Sequence, residues 1–85
     1  MKKHVKVYLD YFGYDTNSWI GCEVCNRTST DIHHLTARSR GGKDVIENLM
    51  ALCRDCHHEV HFGVKIKNED LKQIHENYVH TNNTR

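Results

Sequence analysis

The chain has 85 residues, 38% of them hydrophobic, and its 12 lysines and arginines against 11 aspartates and glutamates leave a formal net charge of +1. A chain this short forms at most one domain, whose core is small enough to need a staple such as a bound metal. The near-neutral charge excludes a nucleic-acid binder that works by overall charge, so such affinity would come from local clusters and bound metal. No apolar run is long enough to span a bilayer, and we expect an intracellular, cytoplasmic protein.

The first predicted element is a short amphipathic helix over about residues 3–12, which Gly13 would end. Its apolar positions recur at helical spacing, namely Val5, Tyr8, Leu9 and Phe12. Residues 14–21 favour an irregular segment. We expect Trp19 in that segment to be part of the core rather than a binding platform, because aromatic side chains dominate small cores.

A hairpin is predicted next. Residues 30–35 are compatible with a strand, and residues 38–44 form a loop whose two glycines permit a sharp turn. A second short strand is predicted near residues 45–46, and the segment from Asn48 leads to the second of two cysteine pairs. Two helices would complete the fold.

The first of these helices is predicted over residues 57–62. The second is predicted over about residues 68–80, with Asn68 as its N-cap and acidic residues in its first turn. Its apolar stripe is formed by Leu71, Ile74, Tyr78 and Val79. Residues 81–85 are expected to be frayed.

The cysteines form two Cys-x-x-Cys pairs, Cys22 with Cys25 and Cys53 with Cys56. Four thiols supplied by two short turns match the tetrahedral coordination of a structural Zn²⁺, and such a closed site leaves no position for chemistry. Disulfides are disfavoured because no hydrophobic signal segment precedes the domain. A redox role is disfavoured because no thioredoxin-like strand and helix pattern surrounds the pairs. The spacing therefore predicts a structural zinc site.

Histidines between and after the two pairs offer a second, open metal site. His57 and His61 would share one helix face, and a strand carrying His33 opposite them would complete three imidazole ligands around a divalent ion. His34 alternates to the other side of that strand, close enough to act on a water as a general base. The remaining histidines are expected to be surface or satisfied side chains: His4, His58, His75 and His80.

The chain resembles an HNH endonuclease domain over residues 22–61. Three segments carry the resemblance: IHHLTARSRGG at residues 32–42, ENL at 47–49 and LCRDCH at 52–57. It implies a small α+β fold in which a ββα-metal (treble-clef, His-Me finger) core, stapled by zinc, is flanked by N- and C-terminal helices. It also implies that residues 1–85 form a single nuclease domain.

The resemblance implies a role for each matching residue. His34 would be the general base, Asn48 would tie the hairpin loop and orient that base, and the divalent ion would be held by His33, His57 and His61. The implied reaction hydrolyses DNA phosphodiester bonds to 5′-phosphate and 3′-hydroxyl ends, with the ion stabilising the developing charge. Imidazoles favour Zn²⁺ and Ni²⁺ whereas Mg²⁺ prefers oxygen ligands, so Mg²⁺, Mn²⁺, Ni²⁺ and Zn²⁺ all stay open.

DNA contacts are expected from basic residues in or beside the motif: Arg38, Arg40, Lys43 and Arg54. The alternative is a solvated basic face, and Arg54 could instead offset the charge of the zinc thiolates. No sequence-reading module is apparent, so low sequence specificity is expected. One active site nicks one strand, and cutting both would require a homodimer, a larger nuclease assembly or two encounters. Small stand-alone members of the family are frequent in phages and mobile elements.

Two other functions stay open. Treble-clef zinc domains without catalytic residues bind nucleic acid or protein, although here a base, its orienting amide and an open metal site occur together. A metal-dependent RNase would differ only in its substrate. Comparing cleavage of duplex DNA, single strands and RNA separates these functions.

Overall fold

This computed structural model describes residues 2–63 and 66–82. These residues fold into three α-helices and a two-stranded antiparallel sheet. In chain order the elements are α1 (Lys3–Phe12), β1 (Asp31–His34), β2 (Leu49–Leu52), α2 (Arg54–Phe62) and α3 (Asn68–Thr81). Two 3₁₀ turns, Arg38–Arg40 and Ile46–Asn48, lie between the strands. Within these ranges, no helix is long and apolar enough to cross a bilayer. The predicted small α+β class is confirmed.

Helix α1 has the bounds that the spacing of its apolar residues predicts. Gly13 ends the helix in the left-handed conformation, with φ at 73°, and its amide donates to the carbonyl of Asp10 at 3.3 Å. A glycine adopts this conformation without steric cost because it has no Cβ. The face that α1 turns towards the sheet is buried and consists of Tyr8, Leu9 and Phe12.

Strand β2 lies further along the chain than predicted. The prediction of a strand near residues 45–46 is wrong, because Ile46 begins a 3₁₀ turn and Val45 is 41% exposed. All four residues of β2 are instead completely buried. An unbroken apolar run of this kind is typical of a strand that is covered on both faces.

The two faces of β2 pack against different parts of the chain. Leu49 and Ala51 cluster with Tyr8 and Phe12 of α1. The alternate residues of the strand belong to a second cluster, formed by Met50, Leu52, Leu71 of α3, Leu35 and two of the cysteines, Cys22 and Cys53. The alternation follows from the two-residue period of a strand.

Pairing between the strands sorts the two adjacent histidines of β1. His34 lies opposite Leu49 and His33 lies opposite Met50. Directly opposite residues of an antiparallel pair share a face, so His34 lies on the α1 face of the sheet and His33 on the other. The predicted alternation of these two side chains is confirmed.

The later helices begin at other residues than predicted. Helix α2 starts at Arg54 rather than residue 57, because Cys53 is its N-cap and its sulfur accepts a hydrogen bond from the Cys56 amide at 3.4 Å. The N-cap of α3 is Lys67, so the prediction of Asn68 in that role is wrong. Helix α3 includes Thr81, and the predicted frayed residues 83–85 lie outside the described residues.

A buried network joins α3 to the rest of the fold through His75, which is only 2% exposed. Of its two predicted environments, a surface position or a satisfied side chain, the second is confirmed. Its Nδ1 donates to Glu23 Oε1 at 2.7 Å, and its Nε2 donates to the carbonyl of Ile46 at 2.6 Å. The other oxygen of Glu23 accepts from the Tyr8 hydroxyl at 2.6 Å and the Ala51 amide at 3.1 Å. Burial alone would lower the pKa of His75, but its contacts with Glu23 raise the pKa overall. The imidazolium can therefore donate from both nitrogens.

Candidate functional site

The four cysteines converge at one end of the sheet. Their sulfur atoms all lie within 4.8 Å of one another, all four are free thiols, and the sulfurs of Cys25 and Cys53 are 3.5 Å apart. A disulfide would need about 2.05 Å. Tetrahedral zinc, with Zn–S bonds of about 2.3 Å, separates its sulfurs by about 3.8 Å. The spacing and the four soft donors are therefore compatible with a zinc ion.

Local turns deliver these thiols. The first pair lies in a tight turn, where the amide of Asn26 donates to the carbonyl of Cys22 at 2.9 Å and Asn26 has a positive φ of 65°. Asparagine tolerates this conformation better than most residues. At the second pair, burial raises the pKa of Cys53, but the hydrogen bond from the Cys56 amide and those from the neighbouring thiols lower it to about 7. A thiolate, the form that binds zinc, is thus accessible near neutral pH.

Three histidines form a second cluster, between β1 and α2. One ring nitrogen from each of His33, His57 and His61 lies within 4.8 Å of the other two. The Nε2 atoms of His57 and His61 are 3.1 Å apart, close to the roughly 3.3 Å expected between two nitrogens bound to one tetrahedral zinc. The geometry brings together the three residues that the sequence predicts as ligands of a divalent ion, and their donor set fits such an ion.

Asp31 orients one of these imidazoles from outside the cluster. Its Oδ2 lies 3.1 Å from Nδ1 of His57. Burial would raise the pKa of Asp31, but the hydrogen bonds from His57 and Thr30 lower it overall, so the carboxylate is ionised and accepts. His57 therefore carries its hydrogen on Nδ1 and keeps the Nε2 lone pair for a metal. Partners of this kind usually accompany metal-binding histidines.

The surroundings of His33 keep its imidazole in the neutral form that binds a metal. Burial, followed by the nearby charges of His57 and His61, lowers its pKa to about 4. Its imidazole is therefore neutral at physiological pH. Only the neutral ring can bind a metal, so no proton has to be removed first.

On the opposite face of the strand, His34 pairs with Asp44. Its Nε2 lies 2.7 Å from Asp44 Oδ1, and the guanidinium of Arg38 donates to Asp44 Oδ2 at 2.8 Å. The hydrogen bond from His34, together with Arg38, lowers the pKa of Asp44, which is therefore an ionised acceptor. Nε2 of His34 must then carry the hydrogen, which leaves the lone pair of a neutral ring on Nδ1.

Asn48 braces the loop that follows His34. Its side-chain oxygen accepts from the Thr36 amide at 2.6 Å, and its Nδ2 donates to the carbonyls of Thr36 and Lys43, both at 3.0 Å. Gly42 lies so close to the same segment that a Cβ there would be 1.8 Å from the Thr36 carbonyl oxygen. The loop therefore has little freedom, and the role of Asn48 in orienting His34 stays a prediction.

Helix α1 brings His4 to this face of the sheet, where it is half-buried and its Nδ1 is unsatisfied within the described part of the chain, so it matches neither the predicted surface position nor the predicted satisfied side chain. The ring centroids of His4 and His34 are 4.7 Å apart. Nδ1 of His4 is buried and has no hydrogen-bond partner among the described residues. Burial, followed by the charges of His34 and Arg38, lowers the pKa of His4.

One pocket of about 440 Å³ is lined both by the three-histidine cluster and by the neighbouring pair of His4 and His34. Its wall includes the three histidines of the candidate metal cluster together with Asp31, His34, His4 and Arg38. A second groove, of about 550 Å³, extends past His33, His34 and His61 to Arg40. A phosphate group in the first pocket would therefore be near both the candidate ion and His34.

The remaining predicted DNA contacts are spread out. Lys43 is exposed in the braced loop, and Arg54 lines a separate pocket of about 570 Å³ on the cysteine side of the sheet. Trp19 lines that pocket too and is 59% exposed, so its predicted place in the core is wrong. Its indole nitrogen donates to Thr28 Oγ1 at 3.0 Å, which holds the ring at the surface.

Three residues of this site, Asp31, Asp44 and His4, were not predicted from the sequence. Asp31 could have been found, because the two-residue strand period puts it on the same face as His33. Asp44 gave no such signal, since it reaches His34 across an irregular loop. His4 gave none either, because only tertiary packing brings α1 to the strand.

A known family matches the segment that contains most of these residues. Residues 22–63 match the family model described as HNH endonuclease, and this segment contains all four cysteines, His33, His34, Asn48, His57 and His61. The chain therefore belongs to the HNH endonuclease family across that segment.

A curated relative points the same way. The chain is 32% identical, over 56 residues, to the type IV methyl-directed restriction enzyme EcoKMcrA of Escherichia coli K12. The match covers 54% of this chain and 20% of that enzyme, so the chain spans about a fifth of its relative. No solved structure matches the chain. The family and the relative together support a nuclease in the broad sense.

Proposed function

We propose that this chain is a metal-dependent endonuclease that hydrolyses DNA phosphodiester bonds, with β1, β2 and α2 forming a ββα-metal core of the treble-clef type. One observation carries the proposal. A single pocket is lined by three imidazoles whose nitrogens converge on one another and by a fourth imidazole, His34. The hydrogen bond between His34 Nε2 and Asp44 leaves the lone pair of His34 on Nδ1. A module that only binds nucleic acid has no need of that combination.

Two metals have separate roles in the proposal. A structural Zn²⁺ is held by the four cysteines, Cys22, Cys25, Cys53 and Cys56, and supports the fold. A catalytic divalent ion is held by His33, His57 and His61. That ion, when bound, supplies positive charge for the phosphate and the departing oxygen.

The protein's own groups handle the proton. Nδ1 of His34 accepts a proton from a water, whose oxygen forms a bond to phosphorus while the bond from phosphorus to O3′ breaks and its electron pair leaves on O3′. Asp44 keeps the imidazole in the required tautomer and stabilises the imidazolium that forms. Asn48 holds the loop between them.

DNA is the proposed partner. Arg38 and Arg40, next to the pocket, contact phosphates that flank the scissile bond, with Lys43 and Arg54 contributing further out. Because the chain corresponds to only a fifth of EcoKMcrA, the proposal draws on that relative for nuclease chemistry and not for methyl-directed recognition.

The test is nicking of supercoiled plasmid by the wild-type chain and by His34→Ala, with Mg²⁺, Mn²⁺, Ni²⁺ or Zn²⁺ and with a chelator as blank. Loss of the general base is expected to lower the rate on the order of 10²- to 10⁴-fold. His58→Ala is the matched control, since His58 is a histidine of α2 that belongs neither to the cysteine cluster nor to the three-histidine cluster.

The outcome distinguishes a nuclease from a binding module. If wild type nicks and His34→Ala does not, the nuclease proposal holds, and the metal series identifies the ion. If both proteins are inert while the wild type still binds DNA, the chain is a binding module. Faster cleavage of RNA than of duplex DNA would overturn the proposed substrate.

A further inference from the structure

A second set of metal ligands lies on the other face of β1. His4, His34 and Asp44 each offer one ligand atom, and the three atoms lie within 4.8 Å of one another. Nδ1 of His4 is buried without a partner among the described residues, so this cluster contains an unused donor as well as the His34–Asp44 pair. The geometry points to a transition-metal site at His4, His34 and Asp44 that takes Zn²⁺ and, when filled, inactivates the general base.

The donor set determines which ions fit. Two imidazoles and one carboxylate suit Zn²⁺ or Ni²⁺ and leave positions for water, whereas Mg²⁺ prefers an all-oxygen shell. The guanidinium of Arg38, 2.8 Å from Asp44 Oδ2, repels a cation here. By contrast, the carboxylate of Asp31 supports the three-histidine cluster. This site should therefore fill last, after the four cysteines and the three histidines.

Occupancy is incompatible with base catalysis, a consequence that rests on the proposed function. The Nε2 of His34 now donates to Asp44 and its Nδ1 carries the lone pair. An ion bound at Nε2 takes the place of that hydrogen, and a neutral imidazole then carries its single hydrogen on Nδ1. A ring in this state has no lone pair to accept a proton from water.

Counting bound zinc tests the site without any nuclease assay. Equilibrium dialysis against rising Zn²⁺, with metal quantified by mass spectrometry, should reach three ions per chain in wild type, one for each cluster. His4→Phe, which keeps a ring against His34 but no ligand nitrogen, should reach two. His80→Phe, which removes an exposed histidine of α3, should still reach three.

Arg38→Ala should strengthen the binding of the third ion, whereas His4→Phe should abolish it. Removing the guanidinium should tighten this step by about two- to fivefold, the range for one exposed charge pair. Thermal unfolding checks that each variant is folded. A wild type that stops at two ions, or a third ion that persists in His4→Phe, would overturn the inference.

Inhibition is measured separately, as the ratio of nicking in the same protein before and after the third zinc-binding step, with the three-histidine cluster already filled by Zn²⁺. Wild type should lose at least about tenfold, as in loss of a general base, and His4→Phe should lose clearly less. Equal losses would mean that Zn²⁺ inhibits without binding at His4, which overturns the inhibitory role. A wild type that never nicks would defeat the proposed function, while the zinc count would still decide the site.

Discussion

The bond between His34 and Asp44 decides what the proposed base can do. An imidazole has two nitrogens, and the carboxylate selects which of them carries the hydrogen. Arg38 in turn selects the position of the carboxylate, so a residue predicted to bind DNA also supports the proposed catalytic pair. Such a chain of orienting contacts is common around functional histidines.

Asp44→Asn should lower the rate of nicking without unfolding the protein. An amide at this position can donate as well as accept, so the ring is no longer held with its hydrogen on Nε2. The rate should fall about ten- to hundredfold, the range for losing a group that orients a functional imidazole. Single-turnover nicking measures this loss.

Asp55→Asn provides the control, because Asp55 forms an exposed pair with Arg27 away from the pocket. Its rate should equal that of wild type. Unchanged nicking by Asp44→Asn would remove Asp44 from the mechanism.

At the scale of residues, candidate metal ligands could be predicted from residue type and spacing alone. The cysteines and the clustered histidines stand out by type and spacing. Trp19 did not follow its expected burial, since a single hydrogen bond to Thr28 and close packing over Gly21 are enough to keep an indole at the surface. Asp44, the partner of His34, depends on loop geometry that composition does not encode.

Among the elements, α3 is attached to the rest of the fold both by its apolar stripe and by an ion pair. The predicted stripe is correct in that Leu71 is buried and Ile74, Tyr78 and Val79 pack on the core. His75 lies four residues after Leu71, on the same face, but a polar residue in such a stripe is normally assigned to the surface. Its burial could not be predicted because Glu23, its partner, is 52 residues away in sequence.

His75→Ala should destabilise the fold by about 3–5 kcal/mol, because it leaves the Glu23 carboxylate buried without its cation. Urea unfolding at constant zinc measures this loss. His80→Ala, at an exposed position of the same helix, should change the free energy of unfolding by less than about 0.5 kcal/mol.

The penalty should also depend on pH. The pKa of His75 is raised in the folded state, so its contribution is complete below the unfolded value of about 6.5 and is lost as the pH rises through the folded value. The difference in stability between wild type and His75→Ala should therefore shrink from pH 6.5 to pH 9. A difference that grows over this range would contradict a charged His75.

For the molecule as a whole, α2 links the cysteine cluster to the three-histidine cluster. Cys56 belongs to the cysteine cluster and the next residue, His57, to the histidine cluster. Cys53 caps the same helix and also belongs to the core. The cysteine cluster thus determines where α2 begins and thereby where His57 and His61 lie.

Removing the zinc proposed at the four cysteines should therefore unfold the chain rather than only inactivate it. Binding of structural zinc contributes about 10–16 kcal/mol in small zinc domains, and the core here is small. A tight chelator, or Cys22→Ser, should abolish the helical circular dichroism signal. Added Zn²⁺ should restore the signal in the chelator-treated wild type but not in Cys22→Ser. His33→Ala, which removes a ligand from the other cluster, should lose nicking but keep that signal.

A zinc-free chain with an unchanged unfolding temperature would contradict this expectation. The α+β class could be predicted from the resemblance to the HNH family, and the convergence of the four cysteines from their spacing. How α1 and α3 cover the sheet could not, because that packing depends on contacts between residues far apart in the chain.

The alternation of His33 and His34 along β1 also constrains how this protein can change in evolution. Inserting or deleting one residue within the strand would turn the proposed ligand towards α1 and the proposed base towards α2, exchanging their surroundings in a single step. A change of two residues would keep the faces but shift the pairing with β2. Length variation among related sequences should therefore be concentrated in the loops, while the spacing of Asp31, His33 and His34 stays constant.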